Sequence, residues 1–327
     1  MRVLVTGAAG YIGSHTCKQL KLAGYFVLGT DRNLPKHNYY DDFVIRDFSN
    51  CQDLLLNIDA VVHIGAMSQI SISMSDSAMY YKKNVQGTQI LMDICRAQGI
   101  DKFVFASSAA CYGSPKTGIC KEFDNHTPMN PYGWSKRMTE IMLEDYARAY
   151  NFNSVSLRFF NVAGADLDCE LGQEKSATHI IARIMESAIN KKEFNLFGND
   201  YNTPDGTCVR DYVHVDDIAK GIICSLKYLE NNTGASIFNL GSESGYSNMD
   251  IINSVKANTP LDVKYSVSPR REGDPDMLIA DVKSAKDVLG WTANYHLDTI
   301  VTSAYNWYTK DIHVLNSEKE IEQITTN

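Results

Sequence analysis

The sequence predicts an α/β fold: a doubly wound parallel sheet carrying a smaller α/β lobe towards the carboxyl end. Three observations predict it. Short β-branched runs alternate with amphipathic stretches through the first half of the chain, the pattern of a parallel sheet with helices on both faces. A glycine-rich turn joins the first run to the first helical stretch. After about residue 165 the alternation weakens, and glycine, proline and polar loops become frequent, as in 197–209 and 269–275.

The elements follow in order. Val3–Thr6 reads as a strand, Ile12–Ala23 as a helix, Tyr25–Asp31 as a second strand and Phe43–Asp47 as a third. Ala60–Ile64, Lys102–Ser107 and Ser154–Arg158 continue the sheet, with helices over Asp76–Gln98 and Tyr132–Tyr150. Later helices are predicted over Thr178–Asn190, Val215–Leu229, Ser247–Asn258 and Leu297–Tyr308. The 327 residues suggest two domains at roughly 150 residues each. Residues 1–165, with a return near 209–235, make the Rossmann-type sheet domain, and 166–327 mainly the second lobe.

The net charge of -8 argues against a nucleic-acid or anionic-membrane surface, so an anionic ligand needs local arginines or helix N-termini. No apolar run reaches the ~18 residues of a membrane span, and no signal peptide is evident. The eight scattered cysteines contain no C-x-x-C pair and read as reduced thiols of a cytoplasmic protein. Neither H-E-x-x-H nor a Cys/His cluster suggests a metal.

Gly7, Gly10 and Gly13 follow the first strand and open a helix, spaced G-x-x-G-x-x-G. Such glycines let the backbone approach a pyrophosphate, and the helix N-terminus supplies N–H donors. Asp31 closes the second strand, where a carboxylate accepts from the adenosine ribose, which favours NAD over NADP. Arg32 beside it is of the kind that accepts a 2′-phosphate. Asp47, ending the third strand, is within reach of the adenine.

Tyr132 and Lys136 form Y-x-x-x-K on one face of a predicted helix. A free phenol titrates near 10, so a base acting near neutrality must gain about 4 kcal/mol. One ammonium at ~5 Å supplies about 3 kcal/mol at an effective dielectric of about 20, and a nicotinamide cation can supply the remainder. Ser108, at the carboxyl end of a parallel strand, is the candidate partner of Tyr132 on a sugar oxygen, with Ser107 competing.

Together these elements resemble the extended short-chain dehydrogenase/reductase family. Two further segments, Phe197–Val215 and Pro269–Asp274, resemble the substrate lobe of the UDP-galactose 4-epimerases. With Gly10–His15 and Arg158–Ala165, the resemblance runs almost to Tyr308. It implies Tyr132 as base, Ser108 as its partner and Lys136 tuning both. It implies an NAD site of Gly7, Gly10, Tyr11, Ile12, Gly13, Asp31, Asp47, Phe48, Ile64, Gly65, Asn84, Ser107, Tyr132, Lys136 and Phe159. It implies that Asn161, Phe197, Arg210, Arg271 and Asp274 hold UDP, with His179 and Ile180 at the uridine and Phe160, Asn195 and Leu278 completing the substrate site. The implied reaction is a redox inversion at sugar C4 through a 4-ketose, with NAD staying bound.

Departures from the family pattern are Ala66-Met67-Ser68 where a lysine is frequent, Phe159 where a tyrosine is common, and a short Arg32–Asp42. Leu278 stands where a bulkier tyrosine restricts the sugar pocket, so UDP-N-acetylhexosamine or UDP-pentose 4-epimerases are the alternative. A 4,6-dehydratase needs an acid pair after the serine, and Ala109-Ala110 supply none. The family also implies a homodimer built on the helices near 76–98 and 132–150.

Overall fold

The structure, a computed structural model, describes residues 1–174, 178–271 and 274–310. Its first half runs β1 (Arg2–Thr6), α1 (Tyr11–Leu22), β2 (Phe26–Asp31), β3 (Asp42–Ile45), β4 (Ala60–His63), α2 (Ile70–Ser75) and α3 (Ser77–Tyr80). A π-turned segment, Tyr81–Gln86, leads into α4 (Gly87–Ala97), β5 (Lys102–Ser108), β6 (Ile119–Cys120), α5 (Pro131–Tyr150) and β7 (Asn153–Phe159). The second half runs β8 (Asn161–Ala163), α6 (Ile180–Ile189), β9 (Phe194–Phe197), β10 (Val209–His214), α7 (Val215–Tyr228) and β11 (Ala235–Leu240). It ends with β12 (Gly245–Ser247), α8 (Asn248–Asn258), β13 (Tyr265–Ser268), β14 (Met277–Ala280) and a helix over 297–310, here α9.

Seven strands form one parallel sheet in the order β11-β7-β5-β4-β1-β2-β3. β4 is buried along its length and reads as an apolar run, Ala60-Val61-Val62, whereas the equally buried β7 also encloses polar side chains such as Ser154, Ser156 and Arg158. One face packs on α1 and α7 through Cys17, Leu20, Ile218, Ile222 and Leu226. The other packs on α4 and α5 through Leu91, Met92, Cys95 and Leu143. A third cluster unites α6, α8 and α9 around Ile184, Met185, Ile251, Ile300 and Val301. The small sheet β12-β10-β14-β6 borrows β6 from the first half, and β8 pairs in parallel with the end of β10 (Tyr212 beside Asn161).

The helix that carries the Y-x-x-x-K pair has sharp ends. Asn130 caps α5 by accepting from the Gly133 N–H at 2.8 Å, Pro131 fills the first turn, and Asn151 ends it in the left-handed region (φ 54°). Inside, the fully buried side chains of Arg158 (β7) and Glu140 (α5) pair. Arg158 donates to both Glu140 oxygens at 2.9 and 2.8 Å, and to Tyr112 Oη (2.8 Å) and Glu122 O (3.0 Å). Ser107 adds a 2.6 Å bond to Glu140.

Three expectations are corrected. The third strand ends at Ile45, and Asp47 instead caps the 3-10 turn Phe48–Asn50 by accepting from Ser49 N. The helix expected over 76–98 is divided by the π-turned segment and preceded by α2, which sequence reading missed. The helix expected from Thr178 starts at Ile180.

Removing one member of a buried ion pair strands the other. Arg158→Met should therefore lose about 3–5 kcal/mol in urea unfolding, and Glu140→Met/Arg158→Met should recover most of it. Equal losses in both proteins would contradict the pairing.

Candidate active site

At the carboxyl ends of β1 and β4 the backbone is packed too closely for side chains. Gly7 adopts φ +71°, and a Cβ there would lie 2.7 Å from Gly65 N. A Cβ on Gly13 would lie 1.9 Å from Gly7 O. Gly10 caps α1 without a side-chain acceptor, so the donors of the first turn, at Tyr11 and Ile12, face an open cradle. Asp31 accepts from the N–H groups of Ala9 (3.2 Å) and Asn33 (3.0 Å), which orient its carboxylate at the cradle's edge. These features fit a dinucleotide: a cradle that any Cβ would fill, an open helix N-terminus and an oriented carboxylate.

The Tyr11 hydroxyl donates to Gly164 O at 2.7 Å and so ties the cradle to the chain beyond β8. Asp47 also takes Lys83 Nζ at 3.0 Å. Burial pushes its carboxyl up, but the Ser49 and Lys83 bonds outweigh that and hold it below the usual range. Phe48 packs edge-on against His63 at 4.6 Å and covers Gly65. Arg46 is paired with Asp53.

Two residues implied at the cofactor are committed elsewhere by their side chains. Asn84, in the π-turned segment, accepts from Met67 N (2.9 Å) and gives its amide protons to Met67 O (2.9 Å) and Ser135 Oγ (3.1 Å). It borders the cleft but acts on the loop after β4. Ser107 spends its proton on Glu140 in the core. Ser108, on the other face of β5, hydrogen-bonds the Tyr132 side chain and accepts from Ala110 N at 3.2 Å, which resolves the competition in geometry.

Lys136 is buried, donates to Ala106 O at 2.7 Å, and holds its Nζ 5.8 Å from the Tyr132 ring centre. Burial pushes the Tyr132 phenol up to about 12, and the Ser108 bond offsets only part of this. Burial also pushes Lys136 down to about 8, against the pull of Cys111 and Glu140. Burial thus works against the tuning expected of Lys136, because the apolar surroundings that strengthen its attraction also disfavour the phenolate.

Arg210 on β10 is buried, paired with Asp274, and gives Nη1 to Val209 O at 2.7 Å. Tyr201 Oη reaches Asp274 at 3.4 Å. The Arg271 guanidinium lies 4.3 Å over the Phe197 ring. Leu278 pairs with Arg210 in register, Asn195 is joined to Ser266 at 3.1 Å, and Asn161 bonds the Tyr212 side chain. His179 stands at the N-cap position of α6 without a side-chain capping bond, meets Gln173 at 2.6 Å, and has its pKa lowered by burial.

One cleft of about 1160 Å³ brings together every residue singled out from the sequence, including Ile64, Phe159 and Phe160. That exceeds the roughly 300–1,000 Å³ of ordinary small-molecule pockets and suits two long ligands meeting end to end. Sequence reading missed Gln69, Met74, Lys83 and Arg183 on its walls. Lys83 adjoins Asn84 and Arg183 lies one turn beyond His179, so both were within reach of helical spacing. The α2 residues gave no such signal.

The lysine carries a stability consequence. Its folded-state pKa, about 8, lies below the ordinary 10.5, so burying the charge opposes folding below pH 8 by about 3 kcal/mol. That opposition fades as pH rises to 10.5. Lys136→Met should therefore resist denaturant at least as well as the parent at pH 7, compared at equal cofactor content, with the advantage shrinking between pH 8 and 10.5. A methionine variant that loses stability at pH 7 would contradict this.

Comparison with known proteins agrees with this architecture. The family profile described as "NAD dependent epimerase/dehydratase family" matches residues 3–241. The UDP-glucose 4-epimerase of Lacticaseibacillus casei is 41% identical over 322 residues, covering 94% of this chain and 97% of that protein. The structure of UDP-glucose 4-epimerase from Brucella ovis in complex with NAD superposes with TM-score 0.90 at 38% identity, covering 94% of this chain and 98% of that one. The Bifidobacterium longum enzyme in complex with NAD+ and UDP gives TM-score 0.89 at 31% identity, covering 95% and 99%. The cradle at Gly7–Gly13, the Tyr132–Lys136 helix and the fold around them thus place the chain in the NAD dependent epimerase/dehydratase family.

Proposed function

We propose that the protein reversibly interconverts UDP-glucose and UDP-galactose by oxidation and re-reduction at sugar C4, using NAD. The observation that carries this is a single cleft with a dinucleotide cradle at one end, Arg210 and Arg271 at the other, and Ser108–Tyr132 between them. Related enzymes solved with NAD and with UDP support it. Residues 1–165, with the chain returning near 209–235, form the cofactor half, and 166–327 mainly form the lobe that holds the UDP-sugar. NAD held at the Gly7–Gly13 cradle and Asp31 would supply the hydride acceptor and, in return, the hydride donor. Tyr132 takes the proton of the 4-hydroxyl, and Ser108 holds the same oxygen. Lys136, anchored on Ala106 O, keeps positive charge behind the phenol. Arg210 and Arg271 grip the diphosphate, Asp274 and Asn161 the adjoining polar groups, and Phe197, His179 and Ile180 the uridine. Held only through its diphosphate, the sugar turns and presents its other face. Ala109 and Ala110 place no acid beside Ser108, so water is not eliminated.

Purified protein without added NAD, given UDP-galactose, UDP-N-acetylgalactosamine and a UDP-pentose in parallel, should convert the first to UDP-glucose. Absence of that product would refute the reading. Tyr132→Phe should lower kcat about 10²–10⁴-fold, and full activity would refute the base.

The same reading includes a cytoplasmic homodimer. All eight cysteines are free thiols, and no described helix is long and apolar enough to cross a membrane. Ile90 of α4 and Trp134, Met138 and Ile141 of α5 stand exposed, the last three on one helical face, as a self-complementary helix pair requires. Met138→Lys should shift the protein to monomer in sedimentation, and an unchanged mass would count against this interface.

A further inference from the structure

Thr6 and His63 are register neighbours at the ends of β1 and β4, on the face covered by α4. Each proton around His63 can be assigned. Thr88 of α4 gives its only hydroxyl proton to Asn84 O at 2.6 Å. Its oxygen must therefore accept from His63 Nε2 at 2.8 Å. The proton then sits on Nε2, and Nδ1 accepts from the Thr6 hydroxyl at 2.7 Å. Thr6 Oγ1 in turn accepts from Gly65 N at 3.2 Å. Moving the proton to Nδ1 would leave the Thr6 proton without an acceptor and set two oxygens, Thr88 Oγ1 and Asn84 O, against each other at 2.6 Å.

We propose that His63, neutral and protonated on Nε2, is a positioning residue for the NAD half of the cleft. Through Thr6 it fixes Gly65 against the glycine cradle, and through Thr88 and Asn84 it fixes Met67. It thereby holds the first part of the loop that borders the cleft after β4, at Gly65 and Met67. The Phe48 ring leans on the same imidazole at 4.6 Å, so the far wall of this half rests on it too. Burial, with Lys136 nearby, pushes the imidazole down to about 3, consistent with a side chain that never carries charge here. No atom of His63 borders the cleft, so its action passes through its neighbours.

This rests on reading that half of the cleft as the NAD site, and its test does not involve sugar turnover. Long-range ¹H–¹⁵N spectra of the imidazole in the NAD-bound protein should show Nε2 protonated, Nδ1 bare and no titration between pH 5 and 9. Thr6→Val and Thr88→Val should each release bound NAD about tenfold faster in a chase experiment, as expected for an unpaired buried group, while Thr6→Ser keeps the parental rate. A proton on Nδ1, or parental NAD release from Thr6→Val, would overturn the proposal. Should the valine variants fail to fold, the spectrum of the unaltered protein decides. An NAD-retaining protein that fails to epimerise would refute the proposed reaction and leave this test intact.

Discussion

Arg158 reaches both oxygens of Glu140 inside the core, and neither side chain touches solvent. Such a pair is a poor source of net stability, because desolvating two charges costs nearly what their attraction returns. It does fix geometry. Glu140 lies one helical turn beyond Lys136, Arg158 lies on the strand beside β5, and Ser107 bonds the same carboxylate. The rotation of α5 and the twist of β5 are therefore locked together, and those two elements carry Tyr132, Lys136 and Ser108. A helix turned by one residue would move its side chains by about 100° and separate them.

Two buried lysines, Lys18 and Lys136, show how surroundings set a residue's part. Lys18 on α1 meets Asp166, Asp168 and Glu170. Its ammonium occupies the space between three carboxylates that could otherwise attract a metal ion. Burial pushes it down, but the Asp166 and Glu170 bonds prevail and hold it above its ordinary value. Lys136, more deeply desolvated, has Ala106 O as its hydrogen-bond acceptor and is displaced the opposite way. One lysine rivets the loop at 166–170 to the first helix, and the other sits beside the Tyr132 phenol with burial disfavouring its charge.

The parallel sheet, the glycine cradle and the Y-x-x-x-K helix were legible in the sequence because each rests on local spacing. Gly7, Gly10 and Gly13 sit at a strand-to-helix turn, and Tyr132 and Lys136 are helical neighbours. What escaped depended on partners distant in the chain. β9 pairs with β13, and β10 lies among β8, β12 and β14. These short strands carry no periodic signature of their own. The choice between Ser107 and Ser108 turns on which face of β5 meets Glu140, and strand alternation alone does not say. The effect of burial on Tyr132 and Lys136 was likewise invisible, since Coulomb attraction can be reckoned from spacing but the dryness of the site cannot.

The π-turned segment Tyr81–Gln86 gives this chain a constraint of length. A π-turn takes an extra residue into the helical ladder. Here that shift aims Asn84 at Met67 and leaves Thr88 on the His63 side. Deleting one residue would restore regular helical pitch and improve local hydrogen bonding, yet turn everything before it by about 100° relative to α4. Along this stretch, substitutions are cheaper than insertions or deletions. A relative with one residue fewer here would need a different way to hold the loop after β4.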